Sequence, residues 1–341
     1  INGGTLQRNA GGTLALTAGR SLNILNGGLL DAGFLLLPNG FNAIVQSGGR
    51  LRASFPAGTI EIGSGILTSG TLTVLGSTSS VAAANDGTAT FGRSSGTATA
   101  TFNAGAGTFG VLRLGFSPFT GFANVNINGP NSLVQTGTLQ TGGSVTINIG
   151  SGATLRVLNS TQLNAGIINL NGGTADLGSL LHTPPAAVNF TSGAVQFTGV
   201  LTTDALGLLG ASPVIGPNML LSIQGVPASS FVHISPFTTF TLAGGRLNCP
   251  AIEIDPLGSF AWTGGTLNFV GAAPPAIDPA GPLGADVTIN TGKTLIYDAE
   301  LSITSAAVLT QRGGRVQAGA MNLGGAYYYD RGQVAIGPAT V

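Results

Sequence analysis

Gly27-Gly28-Leu29-Leu30, Gly48-Gly49-Arg50-Leu51 and Ser69-Gly70-Thr71-Leu72 decide the reading of this chain. Each is a doublet of small residues with an apolar residue one or two places on. Each starts 21 residues after the one before. The series returns at Ser151-Gly152, Gly172-Gly173 and Ser192-Gly193, at steps of 21 and 20. It returns again at Gly244-Gly245-Arg246-Leu247, Gly264-Gly265-Thr266-Leu267 and Gly313-Gly314-Arg315-Val316. A fixed period of about 20 to 50 residues marks a solenoid, in which each repeat packs on its neighbours.

Between the doublets the apolar residues alternate with period two. Val145-Thr146-Ile147-Asn148-Ile149, Val125-Asn126-Ile127, Ile252-Glu253-Ile254 and Val287-Thr288-Ile289 are examples. Period two with β-branched residues, bounded by Gly, Asn and Ser, reads as short strands. One rung spells out the scheme. Ile252-Glu253-Ile254 is a strand, Asp255 to Gly258 a turn, Ser259 to Trp262 a second strand, Gly264-Gly265 a turn, and Thr266 to Phe269 a third strand. Three short strands per coil of about 21 residues describe a parallel β-helix, a β-solenoid. Neighbouring coils would lie about 4.8 Å apart, and roughly sixteen coils would make a rod of roughly 75 to 80 Å.

Composition agrees with an all-β chain rich in turns. Of 341 residues, 56 are Gly and only 7% are charged, against about 25% in ordinary domains. Yet 43% are hydrophobic, which a disordered Gly-rich polymer would lack. The formal net charge is zero, with one lysine, Lys293, and scattered arginines. No basic cluster is present to neutralise phosphates, so no nucleic-acid partner is expected. Near-zero charge also removes the repulsion that keeps copies apart. A long uncharged stretch, Ala205 to Val232, is broken by Gly, Pro and Ser and reads as no transmembrane span. Cys249 is the only cysteine, so no intrachain disulfide can form, and it reads as a small buried residue. The chain opens inside the repeat pattern without Met, as a mature segment or part of a longer chain would.

Residues 1–341 are read as one solenoid domain. Three stretches break its rhythm: 178–187 with His182 and Pro184-Pro185, 203–230 with Pro213, Pro217 and Pro227, and 271–283 with Pro274-Pro275, Pro279 and Pro282. Proline cannot donate to a ladder, so these are expected as loop insertions. Ala84 to Gly110 repeats at shorter spacing, as an irregular coil or a small hairpin would. Asn126, Asn148, Asn169, Asn290 and Asn322 recur beside strand ends, either as side-chain ladders along the stack or as exposed turn residues.

Gly11-Gly12-Thr13-Leu14-Ala15-Leu16-Thr17-Ala18-Gly19 and Gly264-Gly265-Thr266-Leu267-Asn268-Phe269 resemble the Gly-Thr-Leu repeats of bacterial autotransporter passengers and related filamentous adhesins. That resemblance implies an exported, right-handed parallel β-helix with adhesive or structural work. It carries no catalytic motif.

Chemistry-bearing residues are few. Glu253/Asp255 and Asp298/Glu300 are acidic pairs at i, i+2 spacing, each able to share one strand face. The pairs lie about two coils apart and would form the groove of a glycan-binding or glycan-cleaving β-helix. His182 and His233, the two histidines, have no further ligands at metal-binding spacing. Thr97, Thr99 and Thr101 resemble the threonine faces of ice-binding solenoids, but such a face must repeat coil after coil and no second run is evident. Phe116, Phe119 and Phe122, and Tyr327-Tyr328-Tyr329 before Asp330-Arg331, suit core packing, a protein interface or stacking on sugar rings. No catalytic, cofactor-binding or metal-binding residue is assigned, and no cofactor is expected.

The expectation is therefore an extracellular or cell-surface structural or adhesive solenoid, not an enzyme. Its unpaired end coils would stack copies head to tail into a homo-oligomeric filament or layer. The alternatives are a glycan-active β-helix and a passenger fragment of a longer adhesin that meets another cell's surface.

Overall fold

The structure, a computed structural model, describes residues 1–7, 13–15, 19–37, 40–53, 58–62, 69–83, 87–92, 97–115, 121–271 and 274–337. Every regular element among them is a β-strand, and no helix occurs among the described residues. Strands pair in parallel with partners one coil away, which is the defining feature of a β-solenoid. The solenoid has about 14 turns. Contacts group the chain into two compact units, 1–193 and 194–341.

In the first unit, one column of register partners runs Leu29, Arg50, Ser80, Ala106, Leu133, Thr154 and Thr174. Successive members are 21, 30, 26, 27, 21 and 20 positions apart. The doublet spacing thus describes the shortest coils and not all of them. A ladder fixes the strands, whereas the corners between them accept extra residues. One place further along lies the inward column Leu30, Leu51, Val81, Gly107, Val134, Leu155 and Ala175. All its side chains are at most 1% exposed. Period two sends alternate residues to one face, and stacking then turns that face into a continuous apolar strip. Gly107 interrupts the strip because two rings occupy its side-chain space. A Cβ there would stand 2.8 Å from Phe102 Cε1 and 3.0 Å from Phe109 Cε2.

The doublets need two glycines for two different reasons. Gly48 turns the corner at φ +79°, a conformation that costs other residues free energy. Gly49 has ordinary φ but sits against the coil before it, where a Cβ would stand 2.3 Å from the Ile24 carbonyl oxygen. The same division recurs in the second unit at Gly244, φ +107°, and Gly245, 2.3 Å from the Gly216 carbonyl oxygen.

Outward residues of the first unit form a second kind of column. Asn126, Asn148 and Asn169 are register partners on three successive coils. Asn148 Nδ2 donates to Asn126 Oδ1 at 2.8 Å, Asn169 Nδ2 to Asn148 Oδ1 at 2.7 Å, and Asn189 Nδ2 to Asn169 Oδ1 at 2.8 Å. The asparagine ladder is therefore real for these residues. Asn290 and Asn322 stand outside it, with Arg312 and Ser302 as register partners.

The residues 88–91 and 97–103 form no hairpin. Both strands join parallel ladders, to Thr59–Ile62 and Ser69–Leu75 on the coil before. The Ala84–Gly110 stretch is thus an ordinary coil in its described part.

The second unit carries its own inward columns. Leu221, Leu247, Leu267, Leu295, Val316 and Val334 form one, and Cys249, Phe269, Tyr297, Ala318 and Ile336 another. A separate three-stranded parallel sheet joins Val200–Thr203, Phe231–Ile234 and Ile252–Ile254. The rung expected as three separate strands differs from the structure in one respect. Ser259–Phe269 is one continuous strand, and Gly264-Gly265 bends it with a register shift instead of breaking it. Pairing with the coil before runs on through the corner, while pairing with the coil after begins at Gly265, and the glycines let the backbone bend between the two.

The expected insertions also keep more ladder than their prolines suggest. Residues up to His182 remain in the strand Ile167–His182. Within 203–230, Val214–Ile215 and Met219–Gln224 are ladder strands, flanked and not interrupted by Pro213 and Pro217. A proline outside the strand removes no ladder donor. Within 271–283, Ile277 is fully buried and bridges to Ile303, while Pro275 accepts a bond from Tyr297.

Candidate binding surface beside the tyrosine run

The strand Ala326–Ile336 pairs with Val308–Leu323 alone among the described residues, and nine of its eleven residues are exposed. Tyr327 and Tyr329 continue the inward columns Val287–Leu309 and Ile289–Gln311, whereas Tyr328 continues the outward column Thr288–Thr310. Tyr327 therefore points to the interior, where its hydroxyl donates to Gln311 Oε1 at 2.6 Å. Gln311 Nε2 in turn donates to the carbonyls of Gly314 and Gln333, at 2.8 Å each. This buried amide, 0% exposed, is fully engaged and ties the last two coils together. Burial first, and the neighbouring Tyr329 second, push the Tyr327 phenol above its ordinary pKa.

Tyr328 faces out at 62% exposure. A bulge follows it: Gln311 pairs with Tyr329 but Arg312 pairs with Arg331, so Asp330 is the extra residue. The bulge brings two arginines into register on adjacent coils, both exposed. It also turns Asp330 toward a shallow cleft of about 470 Å³ lined by Thr310, Arg312, Tyr328 and Tyr329. On the other side of Tyr329 a second cleft is lined by Arg315, Gly332, Gln333 and Val334. There Arg315 Nη2 is already held by Gln317 Oε1 at 2.8 Å.

Other residues singled out by the sequence fall elsewhere. His233 Nε2 meets Asp255 Oδ2 at 3.1 Å, and Glu253 is the register partner of His233. These three lie on or beside the three-stranded sheet, whereas Glu300 is on the Lys293–Ile303 strand of a different sheet. The two acidic pairs are thus placed on separate sheets, and the histidine joins one of them instead. His182 Nε2 contacts the Ala186 carbonyl at 2.6 Å. Among the described residues no group of three or more His, Cys, Asp or Glu is arranged to hold a metal ion. Cys249 is fully buried in its column, and burial pushes its thiol pKa far up, which leaves it chemically quiet. Lys293 Nζ lies 5.2 Å from the Trp262 ring centre, and burial lowers its pKa.

The threonine run does recur. Thr97, Thr99 and Thr101 are register partners of Ser69, Thr71 and Thr73 on the coil before and of Phe122, Asn124 and Asn126 on the coil after. The 28-residue offset between the two threonine strands hides this from a search at period 21. The face nonetheless changes to asparagine after two coils and merges with the ladder. Phe116 and Phe119 lie outside the described residues, and Phe122 is 46% exposed. Nothing in the sequence pointed to the Arg312–Arg331 pairing, because the offset there is 19 and a bulge creates it. No described helix is long and apolar enough to cross a membrane.

No protein-family model matches the chain. No curated protein matches it either. Among solved structures it is similar to the TibC-catalysed hyper-glycosylated TibA 55–350 fragment, at 19% identity over 98% of each chain and a TM-score of 0.25.

Proposed function

We propose that the protein is an extracellular adhesive or structural β-solenoid whose terminal coils stack copies head to tail. Its role is mechanical: ladder hydrogen bonds and a continuous apolar strip hold the coils. The observation that carries this reading is the pair Val334 and Ile336. They continue core columns, yet are 40% and 58% exposed, while Val316 and Ala318 before them are 0% and 1% exposed. At the other end Leu6, 52% exposed, begins the column that continues through buried Leu30. A second copy whose Thr5–Gln7 strand pairs with Ala326–Ile336 would extend both ladders and cover these side chains. Burial of such a side chain contributes about 1.5–3 kcal/mol, and a ladder edge favours pairing.

The test is electron microscopy and sedimentation of the purified chain across a concentration series. Filaments or concentration-dependent oligomers are expected, and Val334→Asp with Ile336→Asp should leave single particles. A parent chain that stays monomeric at high concentration overturns the stacking. A longer gene product whose next coil follows Val341 would make the occupant of this edge the chain itself.

A further inference from the structure

We propose that the outward face formed by Tyr328, Arg312 and Arg331 binds a carboxylated sugar unit of an acidic polysaccharide. Three observations meet there. First, Arg312 and Arg331 are register partners on adjacent coils, and like charges facing each other on neighbouring strands are destabilising. Among the described residues neither makes an ion pair, and Asp330, the nearest carboxylate in sequence, makes none. An anion between the two guanidinium groups removes the repulsion, and a carboxylate matches the planar, forked donors of arginine. Second, Tyr328 presents an aromatic side chain in the cleft that Arg312 also lines, and aromatic rings are partners for the apolar faces of pyranose rings. Third, the cleft that Tyr328 and Arg312 line also holds Thr310 and Asp330, a hydroxyl and a carboxylate for sugar hydroxyls, and Arg331 follows Asp330 in the chain.

The Arg331 Nε lies 3.5 Å from where a Cβ on Gly313 would stand, so its side chain runs alongside Gly313 on the coil before. Counted around the face, Arg312 and Arg331 oppose Asp330, with Asp286 two coils back at the start of the same ladder. The positive pair sits on the single column Asn290–Arg312–Arg331, while Asp286 sits on the column of Val308 and Ala326. A coil stacked on Ala326–Ile336 would cover Tyr329 and the inward columns and leave Tyr328 and the arginines open. Tyr329 lines the cleft as well, so the substitutions that test glycan binding are placed at the outward residues Tyr328, Arg312 and Arg331, away from the Val334 and Ile336 that test stacking.

Isothermal titration of the full chain with tetragalacturonate, and with uncharged cellotetraose as comparison, tests the assignment. Tetragalacturonate is expected to bind, with affinity that falls as salt rises, and cellotetraose to bind at least 10-fold more weakly. Arg312→Gln, Arg331→Gln and Tyr328→Ala should each weaken tetragalacturonate binding 10-fold or more. Without ligand, Arg331→Gln should melt no lower than the parent, because it removes a repulsion; a purely structural arginine would lower the melting temperature. Stacking, read by sedimentation, should survive all three changes. Equal binding of both sugars, preference for a sulfated tetrasaccharide over the uronate, no binding at all, or binding that persists in the doubly substituted Arg312→Gln, Arg331→Gln chain overturns the proposal.

Discussion

Asn169 donates its side-chain amide to Asn148 across 2.7 Å, one coil back along the stack. Asn148 passes the pattern on, donating to Asn126 at 2.8 Å and, more weakly, to Asn124 at 3.2 Å. Each donated bond in the run, from Asn189, Asn169 and Asn148, points toward the amino-terminal side. Aligned amides polarise one another, so an interior member contributes more than a terminal one.

Asn148→Leu is therefore expected to destabilise the chain by about 1–3 kcal/mol, the loss of two well-formed side-chain bonds. Asn290→Leu, at an exposed position whose register partner is Arg312, should stay within about 0.5 kcal/mol of the parent. Urea unfolding followed by circular dichroism compares the two. Equal losses would mean that the ladder adds nothing beyond exposed polar side chains.

Much of this architecture was legible because its causes are local. Period-two apolar runs fix which residues point inward, and the doublets mark corners. Val125, Ile127, Ile147 and Ile149 are buried as alternation requires. What the sequence hid were relations between coils of unequal length. The partner of Thr99 is Thr71, 28 residues away, and that of Arg331 is Arg312, 19 away across a bulge. No single period finds both. The fused strands Ser259–Phe269 and Val308–Leu323 were missed for a related reason: glycine permits a corner without obliging the ladder to stop. The acidic pairs looked alike in sequence, but one was carried onto the small three-stranded sheet and the other was not.

The second glycine of a doublet supplies a sharper prediction than the first. Gly49 lies where a Cβ would be 2.3 Å from the Ile24 carbonyl oxygen, and backbone on both sides leaves nothing flexible to move. Gly49→Ala should destabilise by about 1–3 kcal/mol, the usual range for overpacking. Gly4→Ala is the matched control. It has ordinary φ and nothing within 4 Å of the added atom, so it should be neutral or slightly stabilising through the unfolded chain. Thermal melting of both variants reads the difference. If Gly49→Ala melts with the parent, the coils are not packed closely enough at this corner for the steric account to hold.

Alkaline pH should weaken the fold through Tyr297. Its ring is 1% exposed and its hydroxyl donates to the Pro275 carbonyl at 2.9 Å. Burial, and then the neighbouring Cys249, push its pKa well above the ordinary value. In the unfolded chain the phenol ionises near its ordinary pKa of about 10. Above that pH the unfolded state therefore holds fewer protons than the folded state, and stability falls as pH rises. Lys293 acts in the opposite direction, since burial lowers its pKa and the unfolded chain holds the extra proton over that interval. Tyr297→Phe is expected to lose about 1 kcal/mol at neutral pH through the missing hydrogen bond. It should also lose less further stability than the parent between pH 9 and about 11, over the interval in which the unfolded phenol ionises. Denaturation midpoints measured across that interval check both parts. A Tyr297→Phe chain that weakens as steeply as the parent would move the alkaline sensitivity to another group, with Tyr327, also raised by burial, the next to replace.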